Sequence, residues 1–195
     1  KKIFYITIIS IISAFYCTIY IVDSGTNSFN NLLHNDSYTL FFKILLFSAT
    51  LIITYISYNY LKDLDIIQPE FFFLVLLSLV GVLILISSRN LLSMYLGLEL
   101  QSICLYILAA YRKFDLKSSE SGVKYFIIGA LSSGILLYGL SIIFAFTNTT
   151  DFYEIFKELS LSLENNENYL IINVGFVLVL CGLFFKIAVV PFHMW

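Results

Sequence analysis

Apolar residues form long runs along the chain, and the short segments between the runs carry most of the charges and turn-forming residues. A helix needs about 20 predominantly apolar residues to cross a bilayer, and the runs are of that order of length. The pattern predicts six transmembrane helices, which we place at about 3–22, 40–61, 70–88, 90–111, 120–147 and 169–190.

The composition agrees with an all-α membrane protein. Of the 195 residues, 59% are hydrophobic and 12% are charged, and the mean hydropathy is +0.90, which is far more apolar than a soluble domain of this size. The predicted helices use most of the chain, so a separate soluble domain has no room. The net charge is −2 and no basic run occurs, so nothing supports nucleic-acid binding.

The cysteines and the sequence motifs offer no chemistry of their own. Cys17, Cys104 and Cys181 each lie inside an apolar run without Cys-x-x-Cys or Cys/His spacing, so neither a disulfide framework nor a zinc site is indicated. No phosphate loop, haem motif or nucleotide fingerprint is present. We therefore expect no metal and no cofactor in this chain.

One segment outside the apolar runs has helical periodicity. Phe152, Ile155, Phe156 and Leu159 recur at helical spacing, which predicts an amphipathic helix over about 151–160. Such a helix lies on the membrane surface, on a neighbouring subunit, or on the chain's own bundle.

The basic residues outside the membrane indicate an orientation. The side of the N-terminus holds Lys1, Lys2, Lys62, Arg112, Lys113 and Lys117, and the other side holds Lys43, Arg89 and Lys157. The positive-inside rule then places the N-terminus on the cytoplasmic or matrix side. Abundant Phe and Tyr beside many Ile, Asn and Lys are a bias that AT-rich coding produces, which hints at an organellar genome.

Glu99 is the most unusual residue, because it lies about nine residues into the fourth predicted helix and therefore near the bilayer midplane. An ionisable group at that depth costs a few kcal/mol, and such groups usually face a bundle interior and mark ion or proton paths. A buried ion pair with a purely structural role is the alternative.

Lys186 is the second outlier, late in the last predicted helix and five residues before Pro191. Proline cannot donate a backbone hydrogen bond, so we predict that the helix bends or breaks just beyond the lysine. Broken helices occur at membrane depth where they line a polar cavity or are covered by protein. The alternative is that Lys186 extends its side chain to the membrane surface.

Two further residues are candidates for proton transfer. Lys124 comes early in the fifth predicted helix, where extension of the side chain toward the surface is the default. The unperturbed pKa of histidine is near neutrality, so His193 could relay protons, although a lone histidine beside a proline is more often a packing residue. Close helix approach on the fifth helix is predicted by its small residues, which include small-xxx-small spacing: Gly122, Gly129, Ser133 and Gly134.

Three stretches resemble a known family. They are SRNLLSMYLGLELQS at 88–102, ESGVKY at 120–125 with GALSSG at 129–134, and FFKIAVVPFHMW at 184–195. In this order they are similar to chain 2 of the proton-pumping NADH:ubiquinone oxidoreductase, respiratory complex I, and the resemblance covers about residues 87–195.

The resemblance implies a fold and a set of roles. The family's antiporter-like subunits consist of inverted five-helix repeats with one broken helix in each, so 1–88 would hold N-terminal transmembrane helices and 89–195 the first part of a repeat. Glu99 matches a membrane glutamate that faces a lysine, Lys186 matches the lysine of the broken helix, and Lys124 matches a lysine on the helix between them. Proton translocation without redox chemistry in this chain is the implied function, in the mitochondrial inner membrane with the N-terminus on the matrix side.

The expected partners are other membrane-arm subunits of complex I and membrane lipid. Family members continue beyond the PFHMW motif, so we also expect a second chain that completes the subunit, with truncation as the alternative. Other functions stay open: a structural scaffold without its own proton path, a subunit of a cation/proton antiporter, or a plasma-membrane transporter or receptor with glycans at Asn35 or Asn148.

Overall fold

The protein is a bundle of α-helices with one short β-hairpin. A computed structural model describes residues 2–21, 26–29, 31–64, 66, 68–112, 114–165 and 169–190. In chain order the elements are α1 (Lys2–Ile21), β1 (Thr26–Ser28), β2 (Leu33–Asn35), α2 (Ser37–Asp63), α3 (Pro69–Ser87), α4 (Leu91–Ala109), α5 (Leu116–Thr147), α6 (Phe152–Asn165) and α7 (Tyr169–Lys186).

The predicted membrane architecture is confirmed at the level of fold class. The five helices α1 to α5 are long and apolar enough to cross a membrane, and α7 contributes a shorter apolar helix, Leu170–Lys186. Large apolar side chains such as Tyr5, Ile9, Phe41 and Ile56 are exposed along α1 and α2. Exposed apolar side chains all along a helix are typical of a surface that faces lipid.

The helices α3 and α4 pack closely because glycines face each other across the contact. A Cβ atom placed on Gly81 would lie 2.7 Å from the backbone nitrogen of Gln101, and one on Gly97 would lie 2.8 Å from that of Leu85. Without side chains at these two positions the backbones approach each other directly, as small residues allow in membrane helices.

The helices α5 and α7 form the second close pair. A Cβ atom on Gly139 would lie 2.8 Å from the carbonyl oxygen of Gly175, and one on Gly182 would lie 2.6 Å from the Cβ of Leu136. Gly129 of α5 is also tightly packed, against Tyr106, whereas nothing lies within 4 Å of a Cβ placed on Gly134. The predicted close approach therefore holds for Gly129 and is wrong for Gly134, which is on an open face of the helix.

At the end of the bundle that carries the β-hairpin, hydrogen bonds join the link between α3 and α4 to the hairpin and to the start of α6. Arg89, in the link between α3 and α4, donates its backbone N–H to the carbonyl of Leu32 at 3.0 Å and its Nε–H to the carboxylate of Asp151 at 3.0 Å. The backbone N–H of Phe152 donates to the Arg89 carbonyl at 3.2 Å. These bonds place the start of α6 beside the start of α4.

Helix α6 occupies the segment where the amphipathic helix is predicted, and it packs on the chain's own bundle. Ile155 is buried in a core cluster together with Leu98 of α4 and Leu140 of α5, and Leu159 packs against the same cluster. Phe156, on the other face, is largely exposed.

Two predicted helix boundaries are wrong. Helix α5 begins at Leu116 because the Asp115 side chain accepts a hydrogen bond from the backbone N–H of Lys117 and so caps the helix. Helix α7 ends at Lys186, four residues before the predicted boundary at 190. The hairpin formed by β1 and β2 is absent from the sequence prediction, because strands of three residues show no periodicity.

We predict that Gly81→Ala destabilises the protein while Gly134→Ala does not. The added methyl group at position 81 meets backbone atoms that cannot move away, which costs about 1–3 kcal/mol. At position 134 the methyl group has open space, and alanine favours the helix by up to about 1 kcal/mol. Thermal unfolding of the two variants in detergent measures the difference, and equal unfolding temperatures would contradict the close contact.

A second prediction concerns the acid dependence of the cap of α2. The backbone N–H of Thr39 donates to Oδ1 of Asp36 at 2.8 Å, and this bond holds the pKa of Asp36 below its usual value of 3.8. A lowered pKa means that the carboxylate contributes stability above about pH 4, which is lost as the pH falls through the folded-state pKa. Asp36→Asn keeps an oxygen acceptor without a charge, so thermal unfolding of that variant should depend less on acid than the wild type below about pH 4.

Candidate functional site

One face of α4 supplies half of the candidate site. Glu99, Ser102 and Tyr106 follow each other at spacings of three and four residues, which places them on the same side of the helix. Ser102 and Tyr106 are buried, and the hydroxyl of Ser102 donates to the carbonyl of Leu98 at 2.6 Å. This face is turned toward α5 and the end of α7.

The end of α7 supplies the other half. Lys186 is the last helical residue, and Ala188 follows in a left-handed conformation with φ 56°. The backbone N–H of Val189 donates to the carbonyl of Phe184 and that of Ala188 to the carbonyl of Phe185, both at 3.0 Å. This pair of bonds is a Schellman motif, which ends a helix by satisfying its last carbonyls. The helix therefore terminates directly beside the lysine, whose charge suits the negative end of the helix dipole.

The ammonium group of Lys186 lies among three hydroxyl groups. Nζ donates to Oγ of Ser102 at 2.6 Å, to Oγ of Ser133 at 3.3 Å and to the hydroxyl of Tyr106 at 3.4 Å. It also lies 5.8 Å from the centre of the Tyr106 ring. An ammonium group has three donors, so the three hydroxyls together satisfy it.

Glu99 lies just beyond these hydroxyls. Its Oε1 is 3.6 Å from Nζ of Lys186, and the two side chains are 22% and 13% exposed, respectively. That oxygen is itself buried, and no hydrogen-bond donor of the described residues contacts it. The carboxylate and the ammonium therefore act on each other mainly through their charges, with the hydroxyls as the direct neighbours of the ammonium.

The site lies at the depth of the membrane interior. Ser102 is near the middle of α4 and Ser133 is near the middle of the 32-residue helix α5, and Lys186 contacts both. Helix α7 consequently stops inside the bundle, as a helix does that is broken where polar groups gather. The structure brings together Glu99 and Lys186, the pair that the family resemblance implies.

The other two predicted site residues are elsewhere or not described. Lys124 pairs with Glu120 one turn earlier on α5, and both side chains are more than half exposed, outside the group around Lys186. His193 and Pro191 lie outside the described residues. Helix α7 does end just beyond Lys186, where the break is predicted, and among the described residues the turn at Ala188 ends it.

Sequence reasoning missed the three hydroxyls around Lys186. Serine is common in membrane helices as a packing residue, and tyrosine is unremarkable in an aromatic-rich chain. One signal was available, because Ser102 and Tyr106 follow Glu99 on one helical face. Ser133 could be found only by knowing how α5 packs against α4.

The arrangement suits a lysine that exchanges a proton. A hydroxyl group both accepts and donates, so it can bind a charged ammonium as acceptor and a neutral amine as donor. The hydrogen of Ser102 is committed to Leu98, which leaves Ser133 and Tyr106 as the groups able to reverse direction. Among the described residues no group of three His, Cys, Asp or Glu side chains could hold a metal ion.

Comparison with known proteins gives consistent relatives. The family model described as "NADH:quinone oxidoreductase/Mrp antiporter, TM" matches residues 88–195. NADH-quinone oxidoreductase subunit N of Magnetococcus marinus is 41% identical over 170 residues, covering 87% of this chain and 35% of the relative. The same subunit of Maricaulis maris is 36% identical over 195 residues, covering all of this chain and 40% of the relative.

A solved structure supports the same relationship. A chain of respiratory complex I from Thermus thermophilus, determined with bound aureothin, aligns with a TM-score of 0.76 and 25% identity and covers all of this chain and 40% of that chain. The chain thus spans somewhat more than a third of the length of the relatives it matches. Because the family match includes the segments that carry Glu99 and Lys186 and extends over more than half of the residues, this chain belongs to the NADH:quinone oxidoreductase/Mrp antiporter transmembrane family.

Proposed function

We propose that this chain is a membrane-arm subunit of a proton-translocating NADH:quinone oxidoreductase, with Lys186 as the group that takes up and releases the proton. One observation carries the proposal: a lysine at membrane depth, surrounded by three hydroxyls and 3.6 Å from a carboxylate oxygen that is itself buried. Ionisable groups in that position are costly, and in membrane proteins they mark ion and proton paths.

The coupling between the two charges supplies a switch. At 3.6 Å and an effective dielectric constant of about 20, the carboxylate stabilises the ammonium by about 5 kcal/mol. Moving one charge across 100 mV costs about 2.3 kcal/mol, so a change in the charge or position of Glu99 is large enough to drive release of the proton from Lys186. The hydroxyls keep the amine hydrogen-bonded after release.

The reaction and location of the whole assembly form part of the proposal. Electron transfer takes place on other subunits, and this chain needs no cofactor for the step assigned to it. We place the assembly in the mitochondrial inner membrane with the N-terminus on the matrix side. Two features of the sequence support this placement: an amino-acid composition typical of AT-rich coding and the distribution of Lys and Arg. Lys124 and His193 are candidates for passing protons to and from the site.

A cation/proton antiporter subunit is the second candidate, because the family description includes the Mrp antiporters. The curated relatives compared above are all named as NADH-quinone oxidoreductase subunits, which favours the first candidate. Copurification of the chain with flavin and iron–sulfur proteins separates the two, since an antiporter complex contains neither.

We predict that Glu99→Gln lowers proton translocation by the assembled complex by about tenfold or more. The substitution keeps the shape of the side chain but removes the charge that acts on Lys186, a change of a few kcal/mol. Proton uptake into energised membrane vesicles, measured with a pH-sensitive dye at a matched electron-transfer rate, tests this.

Glu158→Gln is the matched control, because it removes an equally charged but exposed carboxylate from α6. Normal pumping by a correctly assembled Glu99→Gln complex would exclude the proposed role. If the ion pair has only a structural role, the double variant Glu99→Leu/Lys186→Leu should assemble and pump normally.

A further prediction separates the hydroxyl groups around Lys186 from ordinary buried serines. Ser133→Ala removes a hydroxyl that contacts Nζ, and hydrogen bonds to charged groups are worth about 1.5–3 kcal/mol, so we expect pumping to fall about tenfold. Ser132→Ala removes the neighbouring hydroxyl, which donates to the carbonyl of Gly182 at 3.1 Å, and should lower the unfolding temperature without affecting pumping. Equal pumping rates in the two variants would show that the hydroxyl of Ser133 has no part in proton transfer.

A further inference from the structure

A second polar site lies at the other end of the bundle, where α2 and α4 end. A cavity of about 340 Å³ opens there between these two helices, with Phe71 of α3 among its lining residues. Its lining includes the hydroxyl-bearing residues Ser57, Tyr60 and Ser118 and the side chain of Arg112. The volume is within the range of small-molecule sites, about 300–1,000 Å³, and proton translocation gives this cavity no task.

Arg112 is held in place at the cavity with most of its donors uncommitted. Its backbone N–H donates to Oγ of Ser118 at 3.3 Å, and Nη2 donates to the hydroxyl of Tyr60 at 3.0 Å. The guanidinium carbon lies 5.9 Å from the centre of the Tyr60 ring. A guanidinium has five N–H donors, and within the described part of the chain no carboxylate forms an ion pair with this one.

The lining of the cavity selects an anion. Among the described residues that line it, Arg112 is the one with a charge, and the carboxylate of Glu70 lines a neighbouring cavity instead. The planar guanidinium binds phosphate groups through two parallel N–H donors. A ligand with a cationic head group would find no carboxylate among the described residues of the lining, so the site favours a phosphate group that carries its negative charge uncompensated.

The apolar surroundings indicate that the phosphate group belongs to a lipid. Leu61, Phe71 and Leu108 line the same cavity, and below it the exposed side chains of Ile53 on α2 and Leu105 on α4 continue toward the membrane interior. Ile53 and Ser57 are one turn apart on α2, as Leu105 and Leu108 are on α4. Both helices pack on α3, so an acyl chain of a bound lipid would run along the apolar surface that they expose below the cavity.

We propose that this cavity binds an anionic glycerophospholipid, with the phosphodiester on Arg112 and Tyr60 and an acyl chain along α2 and α4. The depth of Arg112 agrees with this assignment, since it follows the end of α4 by three residues and is stacked beside a tyrosine, as aromatic residues are at the level of lipid head groups. The cavity is separate from the group around Lys186, so the lipid-binding test can fail while the proposed function holds, and the proposed function can fail while lipid binding holds.

Photocrosslinking in membranes that contain the assembled complex tests the site. The probe is phosphatidylglycerol with a photoactivatable group in one acyl chain, and the readout is the yield of crosslinked peptides from α2 and α4. We expect unlabelled phosphatidylglycerol to displace the probe at a concentration about tenfold lower than phosphatidylcholine, and excess inorganic phosphate to leave the yield unchanged. Equal displacement by phosphatidylcholine, displacement by inorganic phosphate alone, or no crosslink to these helices would overturn the assignment.

Variants separate the specific site from general attraction of anionic lipid. Arg112→Gln should lower the crosslinking yield about tenfold, whereas Lys117→Gln, which removes an exposed charge at the same end of the bundle, should change it less than about twofold. Ser57→Leu fills the cavity without changing any charge and should also abolish the crosslink. An equal loss in the Arg112 and Lys117 variants, or full crosslinking in Ser57→Leu, would contradict the proposal. Loss of a neighbouring subunit in Arg112→Gln with an unchanged lipid crosslink would assign the arginine to a protein contact instead.

Discussion

The interaction on which the structure depends is the accommodation of one ammonium group inside an apolar bundle. A lysine at membrane depth is unfavourable unless its charge and its three donors are satisfied. Here Lys186 obtains three hydroxyl acceptors from two other helices and a carboxylate at 3.6 Å from one of them. The positions of α4, α5 and α7 relative to one another are therefore coupled to the state of this single group.

The glycine contacts make that arrangement possible. Membrane helices gain little from burying apolar side chains against one another, because lipid is as apolar as they are, and close packing of backbones takes over that role. Gly129 brings α5 against Tyr106 of α4, while Gly139 and Gly182 bring α7 against α5. The resulting short distances allow the side chain of Lys186 to reach Ser102 on α4 across the bundle.

Two polar groups of the protein lie at different depths and suit different tasks. The group around Lys186 is enclosed, with both charges less than a quarter exposed, which suits a proton that must not exchange freely with water. Arg112 is at the end of the bundle, open to the head-group region, with its charge unpaired among the described residues. A buried charge with a partner, such as Lys186 beside Glu99, suits a group that exchanges a proton. A charge without a described partner at the end of the bundle, such as Arg112, suits a group that binds an anion.

The sequence by itself determined the membrane class, the approximate helices, the family, and the two ionisable residues that do not fit an apolar helix, because each of these depends on local composition, periodicity or motif. It predicted a break just beyond Lys186, where α7 does end, but not the turn at Ala188 that ends the helix, nor the three hydroxyls, which come from residues 84, 53 and 80 positions away from Lys186. Those contacts depend on how α4, α5 and α7 pack, and serine or tyrosine in an apolar run carries no local mark of its distant partner. The family resemblance implied that Glu99 faces Lys186, but only the tertiary structure shows the 3.6 Å between them and the pairing of Lys124 with Glu120 on an exposed face.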